Sequence, residues 1–133
     1  MWMKYIKSIV FTRIKNEGTA KLKATFPDIY FTTSDKVSTN PKFPTVHLRK
    51  LQGQEKGRTL DGIEINGVLS SFQIDVIDNK SDNNAENVSD VISDIMKSMK
   101  FEMVGDPFPN SKGTNEYRFT SRWQRVIADG DII

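Results

Sequence analysis

Four acidic residues lie close together in the middle of the sequence and have side chains that could bind a metal ion: Asp75, Asp78, Asp82 and Glu86. Calcium takes oxygen ligands from alternating positions of a loop, so this spacing suggests a calcium site. In a calcium-binding loop starting at Asp78, however, Lys80 and Ser89 occupy positions that need oxygen ligands, and Asn83 stands where glycine is required. The acids are better interpreted as residues that start a helix, and neither a metal nor another cofactor is expected.

His47 is the single histidine, and the chain has no cysteine. This composition excludes disulfides, thiolate zinc sites and cysteine nucleophiles. A histidine that acts as a general base needs a partner to orient it, and no serine elbow or suitably spaced acid accompanies His47. Alternation with Val46 and Leu48 predicts that His47 lies on the opposite face of a strand, as a solvent-exposed or interface residue. The sequence therefore predicts no catalytic residue.

Basic residues occur in two groups that could converge on one side of a sheet: Arg49, Lys50, Lys56 and Arg58, then Arg118, Arg122 and Arg125. If they converge, they form a positive face for DNA or for an acidic partner. The net charge of +2 is small for a nucleic-acid-binding protein, so a solvated sheet face is the simpler interpretation. Arginines close to Trp123 would also suit a protein interface, where both residue types are enriched.

The elements that position these residues are organised around residues 68–101. Phe72, Ile74 and Val76 alternate with polar residues, which predicts a half-buried strand. A polar link then leads to apolar residues at helical spacing, which predicts a helix over residues 84–100. We expect Asn83 to cap this helix and Glu86 to complete a capping box.

Before this unit, the pattern predicts a helix at residues 2–14, a stop or kink at 16–18 and a short helical turn at 20–25. β-Branched and aromatic residues predict strands at residues 29–33 and 43–51. An exposed hairpin loop or flap is expected at residues 52–61. The Asn66-Gly67 pair then predicts either a hairpin or a bulge within one long strand.

After this unit, glycine and two prolines predict a loop at residues 103–112, and alternation predicts a last strand at 116–123. Residues 127–133 are expected to form a mobile tail of one domain that covers residues 1–133. Apolar runs such as Ile9-Val10-Phe11 are far shorter than the roughly 20 residues that a membrane span needs. The fold class that results is α+β, in the order α-(β)-β-β-β-α-β. It has an antiparallel or mixed sheet of about four strands, with two main helices packed on one face.

Several segments, taken in this order after an N-terminal helix, form a pattern that covers nearly the whole chain: Phe43-Pro44-Thr45-Val46, the flap from Gly57 to Gly67, Phe72-Gln73-Ile74-Asp75-Val76, Met96 and Met99 followed by Phe101, and Tyr117-Arg118-Phe119. This pattern resembles the tail terminator (tail-tube capping, or tail completion) proteins of long-tailed bacteriophages. One departure is Lys100, where such proteins often have glycine before the aromatic residue.

The resemblance implies a structural virion protein that catalyses no reaction. Subunits of this family form a hexameric ring on the last ring of the tail tube, stop its polymerisation and join it to the head. The partners implied are further copies of the chain, the major tail-tube protein and the head–tail connector protein, with no membrane and no specific nucleic acid. The implied location is the head-proximal end of the virion tail, after assembly in the host cytoplasm.

With this role, the longest exposed links are the expected contacts with neighbouring subunits or with the tube. These are residues in the flap and in the loop at 104–114: Gln52, Glu55, Lys56, Arg58, Asp61, Asp106, Phe108 and Lys112. Arg49, Arg118 and Arg122 are candidates for polar contacts across a sheet face. The alternatives are a head-completion or neck connector protein, which has similar size and contacts the portal side, or a small nucleic-acid-binding module.

Overall fold

The computed structural model describes residues 5–34, 42–51, 54–58, 65–110, 116–128, 131 and 133, with backbone alone for 54–58, 65 and 66. The elements in chain order are α1 (Ile6–Leu22), β1 (Tyr30–Thr32), β2 (Thr45–Lys50), β3 (Gln54–Arg58), β4 (Ile65–Asp78), α2 (Asp82–Ser98), β5 (Glu102–Met103), β6 (Phe108–Pro109) and β7 (Tyr117–Ile127). The α+β class predicted from the sequence is confirmed, although the sheet has seven strands. Within the described residues, neither helix is long and apolar enough to span a membrane.

The sheet is built around β4, which is 14 residues long. The strand order is β1-β2-β4-β7-β5, with β3 paired to β4 on the side of β2, and β6 paired to β7. β1 runs parallel to β2, whereas the other pairs are antiparallel. The sheet is therefore mixed, and α2 is the crossover that brings β7 back beside β4.

Residues 66 and 67 lie inside β4, so the hairpin predicted at Asn66-Gly67 is wrong and the single long strand is right. A Cβ atom on Gly67 would lie 2.9 Å from Val126 Cγ1 and 3.3 Å from the Ile127 carbonyl oxygen. Glycine is therefore needed here because β7 approaches closely, and a turn is not involved. Within the predicted hairpin loop or flap, residues 54–58 form a strand, β3, which pairs antiparallel with β4.

α1 runs without a break through residues 16–18, where the sequence predicted a stop or kink. Gly18 is buried in this helix, and a Cβ atom there would lie 2.7 Å from Phe31 Cζ and 3.4 Å from Ile92 Cδ1. The glycine lets α1 approach β1 and α2 closely, which explains its presence without a helix end. The predicted second helical turn is instead the last turn of α1, which ends at Leu22.

Ser81 caps α2, in place of the predicted Asn83. Its Oγ accepts a hydrogen bond from the backbone N–H of Asn84 at 3.1 Å. The carboxylate of Asp78 accepts from the backbone N–H groups of Lys80 and Ser81, each at 3.0 Å. The strand-to-helix link is therefore held by side-chain acceptors that satisfy backbone donors near the start of the helix.

Replacing Ser81 with alanine is expected to lower the free energy of unfolding by about 1 kcal/mol, because one helix-start N–H loses its acceptor. Asn83 to alanine is the matched control, since Asn83 lies exposed within the first turn and makes no cap. Urea unfolding measures both changes. A larger loss for the Asn83 variant would place the cap where the sequence first suggested it.

The core lies between the two helices and one face of the sheet. Phe72, Ile74, Val76 and Trp123 contribute from the sheet, and each is fully buried. Phe72 meets Phe101 edge to face, with ring centroids 5.6 Å apart. Lys100, just before Phe101, has φ +65°, a conformation that favours glycine.

The last part of the chain contains more order than the sequence suggested. The predicted loop at 103–112 includes Met103 of β5 and all of β6, which both pair with β7. β7 continues to Ile127, which is buried. Arg13 donates a hydrogen bond to the Ile133 carbonyl oxygen at 3.0 Å, and Ala128 N–H donates to Asp131. These contacts differ from the mobile tail expected at residues 127–133.

Candidate interaction surface

The two faces of the sheet differ in what covers them. Alternation along β4 and β7 places Phe72, Ile74 and Trp123 on the inner face, where the buried side chains of both helices join the same core cluster. The residues between them lie on the opposite side, which we call the outer face. In the described part of the chain, no helix contributes to the outer face.

A polar network crosses the middle of the outer face. Thr120 Oγ1 donates to Asp75 Oδ1 at 2.6 Å, Gln73 Nε2 lies 3.4 Å from both Asp75 oxygens, and Arg122 Nε donates to Gln73 Oε1 at 3.2 Å. Asp75 is 2% exposed and Thr120 is fully buried. A buried carboxylate is stabilised by such donors, so this network fixes how β4 and β7 face each other.

His47 is the cross-strand neighbour of Asp75 on β2 and is buried, at 9% exposure. His47 lies on the face opposite to Val46 and Leu48, as the sequence predicted, but it is buried and not solvent-exposed, with Thr32 and Asp75 as its cross-strand neighbours. The Thr120 hydroxyl donates directly to Asp75, with no histidine between them. In a catalytic triad, a base lies between the hydroxyl nucleophile and the third group that orients the base. Here the hydroxyl contacts the carboxylate directly. The cluster stabilises the sheet and lacks the arrangement of a catalytic triad.

Arg49 and Arg122 are brought together by the strand register, because both lie opposite Gln73. The guanidinium of Arg122 lies 5.7 Å from the centroid of the Phe108 ring, a cation–π contact. Arg118 lies on the same face and forms an ion pair with Glu116 at 3.3 Å. The three arginines predicted for sheet-face contacts thus share one face, with Arg49 and Arg122 in one row.

The other basic residues do not all lie on the outer face. Lys50 lies on the inner side, with Nζ 5.9 Å from the centroid of the Phe72 ring. Arg125 donates to the Met99 carbonyl oxygen at 2.8 Å and lies 3.9 Å from Asp131. The side chains of Lys56 and Arg58 lie outside the described residues. A single face with all seven basic residues is therefore wrong, and the case for a nucleic-acid module weakens accordingly.

The acidic residues are separated by the sheet. Asp75 belongs to the outer face, whereas Asp78 satisfies the link to α2 on the inner side. Where the chain is described, no group of three or more histidine, aspartate or glutamate side chains could hold a metal ion. Helix-start chemistry accounts for Asp78, while Asp75 has a separate structural role.

The candidate contact residues fall at two ends of the sheet. β4 pairs with both β3 and β7 at Val68, but between residues 65 and 67 it pairs with β3 alone. Lys56 and Arg58 therefore belong to a two-stranded ribbon that extends past the last residue of β7, whereas Glu55 lies opposite Val68, where β7 still pairs. Gln52 and Asp61 lie outside the described residues.

The second group lies beside α2. Asp106 is exposed and Phe108 is 38% exposed, whereas Lys112 lies outside the described residues. An open groove of about 370 Å³ runs between the start of α2 and β6. Its lining includes Asp82, Glu86 and Arg118. The groove has charged and apolar walls, which is typical of a surface that contacts protein.

Two features of the surface were not predicted from the sequence. Of six exposed large hydrophobic residues in the described chain, four lie on or beside the outer face: Tyr30, Val104, Phe108 and Val126. The second feature is an acidic stripe on α2, formed by four exposed residues spaced four apart: Asp82, Glu86, Asp90 and Asp94. The stripe was visible as a regular spacing in the sequence, but the hydrophobic residues could be assigned to one face only from the strand register.

No family model matches this chain, and no curated protein matches it. Among solved structures, the chain shares its fold with a chain from the virion of a native gene transfer agent (GTA) particle. The TM-score is 0.59 and the sequence identity is 15%, over 90% of this chain and 91% of that chain. At this identity the comparison shows the fold over nearly the full length of both chains.

Proposed function

We propose that this chain is a structural virion protein and that it acts as a tail terminator. In this role it forms a ring on the end of the tail tube, stops the tube from growing and offers its other side to the head connector. The observation that carries the proposal is the fold shared with a GTA virion chain over 90% of the sequence. The order of elements and the segment patterns that resemble tail terminators support the finer assignment.

The physical features of the surface suit such a subunit. A ring requires a heterologous interface, in which two different surfaces of each subunit fit each other. The outer face and the β3–β4 ribbon are surfaces that no described helix covers. Among the described strands, β3 pairs with β4 alone, and a strand edge of this kind can pair with a strand of another chain. Assembly of this kind needs no reaction and no cofactor.

The proposed contacts follow from these surfaces. We assign subunit or tube contacts to the ribbon and its flanks and to the region of β6: Gln52, Glu55, Lys56, Arg58, Asp61, Asp106, Phe108 and Lys112. We assign polar contacts across the outer face to Arg49, Arg118 and Arg122. The partners are further copies in a hexameric ring, the major tail-tube protein and the head–tail connector protein, and the location is the head-proximal end of the tail.

Light scattering of the purified protein, alone and with the tube protein encoded in the same genome, tests the proposal. We expect either a ring in solution or association when the tube protein is added. The connector protein should bind the resulting complex. Monomers alone, with no association on adding the tube protein, would contradict the proposal, and binding to the portal side without the tube would indicate a neck protein instead.

A further inference from the structure

The helix layer presents a line of negative charge to solvent. The four residues of the acidic stripe, from Asp82 to Asp94, are all exposed. Residues four apart on a helix are neighbours, so the stripe extends about 18 Å along α2. Like charges at this spacing repel each other and weaken a helix. Asp82, in the first turn, complements the helix dipole, but repulsion along the rest of the stripe does not stabilise α2, and all four side chains are open to an external contact.

The outer face of the sheet presents positive charge on the opposite side of the molecule. Arg49 and Arg122 are exposed and flank Gln73, with two strand spacings, about 10 Å, between their strands. Glu102 lies at the edge of this face, opposite Gln124, and Glu116 pairs with Arg118. Asp75 also lies on this face but is buried, so the exposed positive charge is centred on the row of Arg49 and Arg122.

The exposed hydrophobic residues divide between the same two surfaces. Tyr5 and Ile9 are 55% and 44% exposed and lie on the side of α1 away from its buried residues. The other four large exposed hydrophobic residues lie on or beside the outer face. The acidic stripe on α2 and the arginine row on the outer face carry opposite charge, whereas α1, which bears Tyr5 and Ile9, adds exposed lysines to the helix layer. Such complementarity is how interfaces select their partners.

We propose that the helix layer of one copy docks on the outer sheet face of the next copy, with the acidic stripe against Arg49 and Arg122. The occupant of the outer face is thus a second copy of this chain. Within one subunit, α2 already covers the inner face of the sheet, and docking supplies a helix layer for the other face. The two surfaces are different parts of the subunit, so the contact repeats head to tail, and it closes into a ring when each copy is rotated relative to the last. This inference rests on the proposed ring and specifies its subunit interface.

Charge reversal on each surface tests the interface. In the stripe-reversed variant, Glu86→Lys, Asp90→Lys and Asp94→Lys leave only Asp82 acidic and make the stripe net positive, so that both surfaces are positive. In the face-reversed variant, Arg49→Glu and Arg122→Glu make both negative. Sedimentation velocity with and without tube protein measures assembly, and circular dichroism checks folding. We expect each variant alone to associate at least ~10-fold more weakly than the wild type, because like charges then face each other.

Mixing the two variants in equal amounts should restore assembly, because every contact again joins opposite charges. Lys42→Glu with Lys80→Glu is the matched control, since both lysines are exposed and lie off the two surfaces. If Arg122→Glu disturbs the hydrogen bond to Gln73 and the fold, Arg49→Glu alone replaces it.

The outcomes separate the two proposals. If the wild type assembles and folded reversed variants assemble equally well, the ring stands and this interface is wrong. The interface is equally wrong if the mixture of folded variants fails to assemble. If the wild type neither self-associates nor binds the tube protein, ring formation fails, and the interface fails with it.

Discussion

Replacing Trp123 with alanine is expected to lower the free energy of unfolding by about 3–5 kcal/mol. Trp123 is fully buried on β7, between Phe72 of β4 and Met103 of β5. Its indole Nε1 donates to Ser121 Oγ at 3.0 Å. Alanine would remove a large ring from the centre of the core and leave a cavity that the surrounding strands can fill only in part. Since the free energy of unfolding of a domain is typically about 5–15 kcal/mol, the expected loss is a large fraction of the stability of this protein.

Urea unfolding followed by circular dichroism measures the effect. Val126 to alanine is the control, because Val126 lies on the same strand and is 51% exposed. We expect the control to change the free energy of unfolding by no more than about 0.5 kcal/mol. Equal losses for the two variants would mean that the core is not centred on the inner face of β7.

Replacing Asp75 with alanine is expected to lower the free energy of unfolding by about 2–3 kcal/mol. Asp75 is buried on the outer face and accepts the Thr120 hydroxyl hydrogen bond at 2.6 Å. Without the carboxylate, the Thr120 hydroxyl keeps its desolvation cost and loses this acceptor, and Gln73 loses a polar neighbour. Replacing an exposed aspartate with alanine would hardly change the free energy of unfolding, so a loss of this size would indicate that Asp75 is buried and hydrogen-bonded.

The partner variant Thr120 to valine has nearly the same shape as threonine and removes only the hydroxyl. We expect it to cost about 1–2 kcal/mol, and the double variant to cost clearly less than the two single losses added together, because both remove one interaction. Additive losses would show that Asp75 and Thr120 do not interact as the structure places them.

The strand and helix of residues 68–101 could be predicted because their apolar periodicity agrees with their environment. Phe72, Ile74 and Val76 are buried together, and α2 buries the residues that the helical pattern marked. The sequence predicted the helix cap at Asn83 and not at Ser81, because several residues in this link can cap a helix. The local sequence pattern therefore predicted this strand and helix but not the residues at which the helix begins.

The short strands could not be predicted from local pattern. β3 has the sequence Gln-Glu-Lys-Gly-Arg, which carries no strand signal, and β5 and β6 have two residues each. These segments are strands because β4 and β7 offer them backbone groups to pair with. Tertiary pairing overrides a weak local preference in such segments.

The candidate surface shows the same limit. The arginines of the outer face were identified by type, but their grouping depends on the register that aligns Arg49 and Arg122 with Gln73. The same register places Lys50, one residue from Arg49, and Arg125, three residues from Arg122, on the inner side. Register is fixed by burial of the whole inner face, which no short motif encodes.

The length of tail tubes assembled in the presence of this protein tests the central claim most directly. Purified tube protein is polymerised with and without the chain, and tube lengths are measured by electron microscopy with the chain labelled. If the chain is a tail terminator, added protein shortens the tubes, and the label lies at one end of each tube. Unchanged tube lengths with no label at the tube ends would contradict the account.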